Sequence, residues 1–413
     1  MKNRALSKII ANKSSSRFGR IVVVTGARQI GKTTLVKNIF PNYRYISIED
    51  PVAVEEYKKL TAAQWGTLYP RAILDEIQKE PQLIESIKSV YDQFTEPRYI
   101  LLGSSQIFLL KKIRESLAGR CQIIEMYPLT LPELLTNSWG DEVRLSYFQN
   151  VLLKQKKELI PFILDNGHPQ KKMVFDTYLK FGGYPAISDS TIPDGDKRDW
   201  LKNYIRTYLE RDIRDLAELR NLEPFVKVQK LLAINTAQIT NYSQIAVEAG
   251  VSSKTVQRFL EYMGISYQTL VLQAWSRNKR KRLVKSPKVH YLDVGVMRAV
   301  LQKRDELNGH EFESAVVAEI FKQVKAINAD AAFYHLRTTD GREVDLLIET
   351  EHGYIAIEIK KSEIVRSVDA KHLTGLDDIL DKPVIHKFVL SNDLSIKDLG
   401  AGVTAIPAVQ FLT

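Results

Sequence analysis

Residues 26–33 read Gly-Ala-Arg-Gln-Ile-Gly-Lys-Thr, the spacing G-x-x-x-x-G-K-[ST] of a phosphate-binding loop. Gly26 and Gly31 permit the backbone angles that turn amide N–H groups inward. Those amides, with Ala27, Arg28, Gln29, Ile30 and Thr34 completing the loop, would cradle the phosphates of ATP at a helix N-terminus. Lys32 would reach the β- and γ-phosphates, and Thr33 would ligate Mg2+. Residues 72–76, Ala-Ile-Leu-Asp-Glu, are an apolar stretch ending in two acids. Asp75 would hold the magnesium and Glu76 would orient the attacking water, because phosphoryl transfer depends mainly on positioning and charge stabilisation. A second set of acids lies near the C-terminus. Asp345 and Glu358 are types that hold a divalent metal, Lys360 would share the face of Glu358, and Glu313 would complete the set, with Glu319 and Glu311 as substitutes.

These residues need elements to position them. Five apolar runs alternate with helical patterns up to about residue 127: Ile21–Thr25, Tyr43–Ile48, Ala72–Leu74, Tyr99–Leu102 and Gln122–Met126. Strand alternating with helix predicts an α/β fold with a parallel sheet. The phosphate loop then falls at a strand-to-helix turn. The fourth run ends Leu-Leu-Gly-Ser-Ser-Gln, where Ser105, or else Ser104, would touch the γ-phosphate or the water. Arg120, at the mouth of the fifth run, would stabilise transition-state charge in cis or across a subunit boundary; a surface ion pair is the plainer reading.

Downstream, Asn241 to Gly250 and Val251 to Leu260 read as helix, glycine turn and serine-capped helix, a helix-turn-helix. Ser253, Lys254, Gln257 and Arg258 open the second helix and suit phosphate and base-edge contacts in DNA. Two strand-like runs follow, Thr269–Trp275 and Val289–Leu292, with seven cations from 277 to 288. This is the pattern of a wing, with Arg280, Lys281 and Arg282 on DNA phosphate. Winged helices also contact proteins, so the partner stays open. Between the ATPase pattern and this module, Tyr204, Tyr208, Arg211 and Arg214 share one helical face, and Arg206, Arg211 and Arg214 are candidates for a second phosphate sensor, with a solvated face the plainer reading.

The 413-residue chain predicts more than one domain, and its charge of +10 suits a polyanionic partner, most simply nucleic acid. No apolar run approaches the roughly 18 residues of a transmembrane helix. The N-terminus lacks a secretory pattern, and the lone Cys121 leaves no internal disulfide framework, so a cytoplasmic location is expected.

The strings T-G-A-R-Q-I-G-K-T-T-L, I-L-D-E-I-Q, L-L-G-S-S-Q and S-L-A-G-R, followed by Y-P-L-T-L-P-E-L at 127–134, resemble the AAA+-like ATPases found as stand-alone genes in bacteria and archaea. Phe181-Gly182-Gly183-Tyr184-Pro185, Tyr208-Leu-Glu-Arg-Asp212 and the string from Lys285 to Gly295 are similar to landmarks of that family. The resemblance implies a C-terminal domain of unknown function 4143, in which Asp345 and Glu358-x-Lys360 match the PD-(D/E)xK nuclease constellation. The implied architecture is a P-loop ATPase core (1–134), a helical insertion and lid (135–222), a winged helix (223–295) and an α/β nuclease-like domain (296–413). It also implies completion of the ATP site by a neighbour's arginine, hence a homo-oligomer or ring, with no membrane partner. Two functions follow: an ATP-hydrolysing machine acting on branched or broken DNA, with a cleaving or inert C-terminal domain, or a nucleotide-gated regulatory or defence switch.

Overall fold

The computed structural model describes the chain except residues 104–112, 114, 156–158, 210–220, 279, 281, 283–284 and 339, and describes backbone alone at 208–209. Among the described residues no helix is long and apolar enough to cross a membrane.

The N-terminal part contains α1 (Leu6–Ser15), β1 (Ile21–Gly26), α2 (Lys32–Ile39), β2 (Arg44–Ser47), α3 (Pro51–Lys59), α4 (Ala62–Leu68), β3 (Arg71–Asp75), α5 (Gln82–Gln93), β4 (Arg98–Gly103) and β5 (Cys121–Met126). The five strands form one parallel sheet in the order β2-β3-β4-β1-β5. The continuous apolar run of β1 suits a strand covered on both faces. Its alternate residues do go to opposite sides. Val22 and Val24 join the core with Leu35 and Val36 of α2, whereas Ile21 and Val23 join Ile84 and Ile87 of α5. This is the α/β architecture of a P-loop ATPase, and it presents the loop at the C-terminal end of a central strand.

Helices α6 (Leu131–Leu134), α7 (Tyr147–Leu152), α8 (His168–Phe181) and α9 (Asp194–Tyr204) follow, then α10 (Glu223–Ile234), α11 (Tyr242–Ala249) and α12 (Ser253–Ile265). Asn241 and Ser252 cap α11 and α12 by accepting from the amides of Gln244 and Thr255. Then come β6 (Thr269–Ala274), β7 (Lys288–Tyr291), α13 (Val294–Leu301), α14 (Gly309–Ala326), β8 (Ala332–Arg337), β9 (Glu343–Glu349), β10 (Tyr354–Ile359), β11 (Val384–Ser391), β12 (Lys397–Asp398), β13 (Val403–Pro407) and α15 (Ala408–Leu412). β6 and β7 are an antiparallel pair, as a wing requires, but β6 also pairs with β8. The hairpin is thereby the edge of an eight-stranded mixed sheet, β12-β13-β11-β10-β9-β8-β6-β7.

Three of the landmark strings meet at one joint. The Leu129 amide donates to the Gly183 carbonyl at 2.7 Å, and the Gly183 amide donates to Asp293 at 2.8 Å. Gly182 has φ 76° and ψ −159°, a region open essentially to glycine alone. A Cβ on it would stand 2.0 Å from Asp293 Oδ1, and one on Gly295 would stand 2.0 Å from the Phe181 carbonyl oxygen. On the other side the Leu131 amide donates to Glu319 of α14 at 2.7 Å. Glu319 is itself paired at 3.0 Å with Lys322, both fully buried. These strings hold the parallel sheet, helix α8 and the C-terminal part together.

Candidate functional site

The loop between β1 and α2 is built as the motif requires. Gly31 takes φ 87° at the N-terminus of α2, and Gln29 takes φ 63°. Lys32 is buried, and its Nζ donates to the carbonyls of Gly26 at 2.9 Å and Ala27 at 2.7 Å. The Thr33 hydroxyl donates to Asp75 Oδ2 at 2.7 Å. Two hard oxygen donors in contact fit Mg2+, which prefers carboxylate and hydroxyl oxygens to nitrogen or sulfur. When bound, that ion would neutralise charge on the phosphates. Asp75 ends β3, and the amide of Glu76 donates to its Oδ1 at 3.0 Å. Glu76 itself sits at φ 56°, strained for a non-glycine residue, and Gln78 Nε2 bonds its carboxylate.

Two tyrosines join this site, and sequence reasoning missed the first. Tyr45 of β2 donates to Asp75 Oδ2 at 2.9 Å, so Asp75 accepts from both Thr33 and Tyr45. Burial, and then the Asp75 charge, push the Tyr45 phenol up to about 12. The Tyr204 hydroxyl at the end of α9 donates to the Arg28 carbonyl at 3.3 Å, joining α9 to the phosphate loop. The sequence placed Tyr45 in a strand, but its meeting with Asp75 depends on β2 lying beside β3, with Ser47 opposite Asp75. Helical spacing marked Tyr204 as part of one face but assigned it no contact with the loop.

Arg120 stands elsewhere. β5 pairs in parallel with β1, and Ile21 faces Cys121, so Arg120 lies at the opposite end of the sheet from the loop. Five residue steps along the strand separate Ile21 from Gly26, roughly 17 Å at strand rise. The cis role is therefore corrected by strand register. The side chain pairs with Asp92 at 2.8 and 3.3 Å on the surface. Ser105 and its alternative Ser104 lie outside the described residues, as do Arg211, Arg214 and Lys281.

In α12, Val256, Phe259, Leu260 and Met263 are buried, while Lys254, Gln257 and Arg258 are exposed on the other face and Ser253 is half-buried. Arg280 is exposed. Arg282 is not, and its predicted contact with DNA is corrected. Its side chain donates to the Ser276 carbonyl at 2.6 Å, pairs with Glu349 at 3.4 Å and Asp381 at 3.7 Å, and lies over the rings of Trp275 and Tyr334. The carboxylates of β9 and the loop before β11 draw it inward.

The C-terminal acids also differ from expectation. Glu313, Asp345 and Glu358 are all buried. Lys360 pairs with Glu358 at 2.7 Å, as a shared face predicts. Glu319 bonds Leu131 instead, and Glu311 caps α14 and pairs with Lys303, so neither substitute belongs to the set. Lys288, not foreseen as a member, puts its ammonium against Glu313, Glu343 and Asp345. Burial lowers the Lys288 pKa, but those three carboxylates more than offset it and hold the ammonium above its usual range. Burial and then the Asp345 charge raise Glu358 to about 8, against the opposing pull of Lys360. Among the described residues no group of three or more His, Cys, Asp or Glu is arranged to hold a metal. The expected magnesium set of Glu313, Asp345 and Glu358 does not fit a metal, because the Lys288 ammonium pairs with Glu313 and Asp345 and the Lys360 ammonium pairs with Glu358.

This geometry defines a P-loop ATPase fold joined through a run of helices to a mixed-sheet domain. Residues 19–135 match the AAA domain family, 173–307 match a domain of unknown function, DUF8612, and 308–411 match the domain of unknown function DUF4143. The chain thus joins an AAA domain to a DUF4143 domain. Domains of the first kind bind nucleotide, usually with Mg2+. Uncharacterized proteins of Mycobacterium tuberculosis and Mycobacterium bovis are each 25% identical over 405 residues, covering 95% of this chain and 81% of the relative. A Walker-type ATPase of Pyrococcus abyssi is similar at 15% identity with a TM-score of 0.41, over 71% of this chain and 95% of its own.

Proposed function

We propose that the chain hydrolyses ATP at the phosphate loop and couples turnover to DNA held by α11 and α12. The contact of Thr33 with Asp75, one peptide bond from Glu76, carries the first half of this reading. Lys32 and the loop amides of residues 26–34 would bind the phosphates. Thr33 and Asp75 would hold the magnesium. Glu76 would orient the water that attacks the γ-phosphate, with Ser105 assigned to the same phosphate. Arg120 would act across a subunit boundary on a neighbour's nucleotide, which makes a homo-oligomer, and in closed form a ring, part of the proposal.

For DNA, the second helix of a helix-turn-helix turns its N-terminal residues to base edges and phosphates. The exposure of Lys254, Gln257 and Arg258 supports that role, with Ser253, Arg280 and Lys281 as further phosphate contacts. The wing is weaker than its composition implied, since Arg282 and Lys288 both turn inward. The proposed units are an ATPase core (1–134), insertion and lid (135–222), winged helix (223–295) and nuclease-like domain (296–413). The last retains the order Glu313, Asp345, Glu358 and Lys360 as a fold that grips rather than cuts.

A second reading, a nucleotide-gated switch, is favoured by one contact. The Thr25 hydroxyl, adjoining the phosphate loop, lies 2.8 Å from the hydroxyl of Tyr267, just past α12. A change at the loop has a short path to the helix-turn-helix. The test is ATP turnover with and without linear, single-stranded and four-way-junction DNA. Stimulation by DNA fits the machine. DNA-independent turnover with nucleotide-driven assembly fits the switch and overturns the DNA coupling.

A further inference from the structure

The acid cluster of the C-terminal domain has a cation of its own. Lys288 opens β7, and its side chain is 3% exposed. Its Nζ lies 2.9 Å from Glu313 on α14, and 3.0 Å from Glu343 and 3.4 Å from Asp345, both on β9. An ammonium carries three donors, and here each finds a carboxylate. The other oxygens are largely committed as well. Asp345 Oδ2 accepts from the Ile359 amide at 2.9 Å, and Glu358 Oε1 accepts from Lys360 at 2.7 Å. Glu358 Oε2 is buried without a hydrogen-bond partner, but one oxygen is not a coordination shell.

We infer that Lys288 is a tethered cation standing where a nuclease-type cluster would hold its divalent metal, so that the resting C-terminal domain is a lysine-filled, metal-free site. Three carboxylates this close need a positive charge between them, or two of them must take up protons. A metal ion would relieve that need, and Lys288 already does. A divalent ion entering beside the ammonium would meet its charge at close range in a poorly screened interior. Lys288 also comes from the hairpin that follows the helix-turn-helix, while its partners belong to α14 and β9. The same contact that fills the site therefore ties the hairpin to the C-terminal domain. The inference stands apart from the ATP proposal and from DNA contact by α12, which use other residues, and shares Glu313, Asp345 and Glu358 only with the reading that this domain grips rather than cuts.

The experiment is a titration of the full-length, nucleotide-free protein with Mn2+, followed by the electron paramagnetic resonance of the unbound ion. It is run in an Asp75→Asn background to silence the nucleotide site. The chain with Lys288 intact is expected to bind no Mn2+ at this cluster. Lys288→Met is expected to gain one site, at least tenfold tighter than any residual binding, which a further Asp345→Asn change removes. Lys288→Met/Glu343→Gln relieves one negative charge while keeping Glu313, Asp345 and Glu358, and is expected to gain the same site if the single variant folds poorly. Circular dichroism reports folding, and Mn2+-dependent folding of Lys288→Met would support the inference too. Two results overturn it: Mn2+ bound by the chain with Lys288 intact and lost on Asp345→Asn, or folded Lys288→Met variants that gain no Mn2+ site.

Discussion

Gly182→Ala tests how tightly the joint between the parallel sheet, helix α8 and the C-terminal part is packed. Gly182 sits at φ 76° and ψ −159°. Alanine there costs about 1–3 kcal/mol in backbone strain alone. Its Cβ would stand 2.0 Å from Asp293 Oδ1, so the carboxylate must move. Asp293 then loses bonds from the amides of Gly183, at 2.8 Å, and Val296, at 3.1 Å. Hydrogen bonds to a charged acceptor are worth about 1.5–3 kcal/mol each, and partial loss of two brings the total to roughly 3–6 kcal/mol. In an Asp293→Ala background the obstacle is gone, and Gly182→Ala should cost only the backbone part. The coupling between the two positions should therefore be at least about 1.5 kcal/mol. The assay is thermal and urea unfolding of the four proteins, read as midpoints because a multidomain chain need not unfold in two states. At about 2 °C per kcal/mol, Gly182→Ala should lower the thermal midpoint by at least about 6 °C. A midpoint equal to the parent's, or equal costs in both backgrounds, would refute the reasoning.

Lys254→Ala/Arg258→Ala should weaken DNA binding and flatten its salt dependence by about 0.9 in log–log slope for each phosphate no longer neutralised. Arg282→Ala should leave that slope unchanged and instead lower the thermal midpoint, because its partners are Glu349, Asp381 and two rings. Glu358 is raised to about 8 in the fold, so the native state holds an extra proton above the ordinary carboxylate range. That contribution to stability is complete in acid and is lost as pH rises from about 4.5 through about 8, at no more than about 1.4 kcal/mol per pH unit. Glu358→Gln should remove this fall, and urea midpoints across that window check it. Arg120→Ala should keep nucleotide binding but lose turnover, and mixing it with Lys32→Ala protein should restore part of the activity. A fully active monomeric Arg120→Ala protein would contradict the role across a boundary.

The parallel sheet and the phosphate loop were legible because their signals are local. An apolar run, a glycine-lysine turn and a strand ending in two acids each occupy one short stretch, and the five strands appeared within a residue or two of expectation. The helices α11 and α12 were legible for the same reason, through Ser252 and Gly250. What escaped was decided by distant partners. Tyr45 meets Asp75 only because β2 lies beside β3. Arg282 reads as a wing cation until Glu349 and Asp381 arrive from later in the chain to bury it. Lys288 looks like one more basic residue in a run of seven, yet it meets acids at 313, 343 and 345. The glycines of 182–183 were visible as a landmark but not as a joint, since Asp293 lies over a hundred positions away.

The central claim is that Asp75 and Glu76 divide binding from chemistry at one site. The most direct measurement is single-turnover ATP hydrolysis alongside equilibrium nucleotide binding in Glu76→Gln and Lys32→Ala proteins. Glu76→Gln should bind ATP with Mg2+ as the parent does and release no phosphate, while Lys32→Ala should lose most binding. Turnover by Glu76→Gln at the parent's rate would contradict the account.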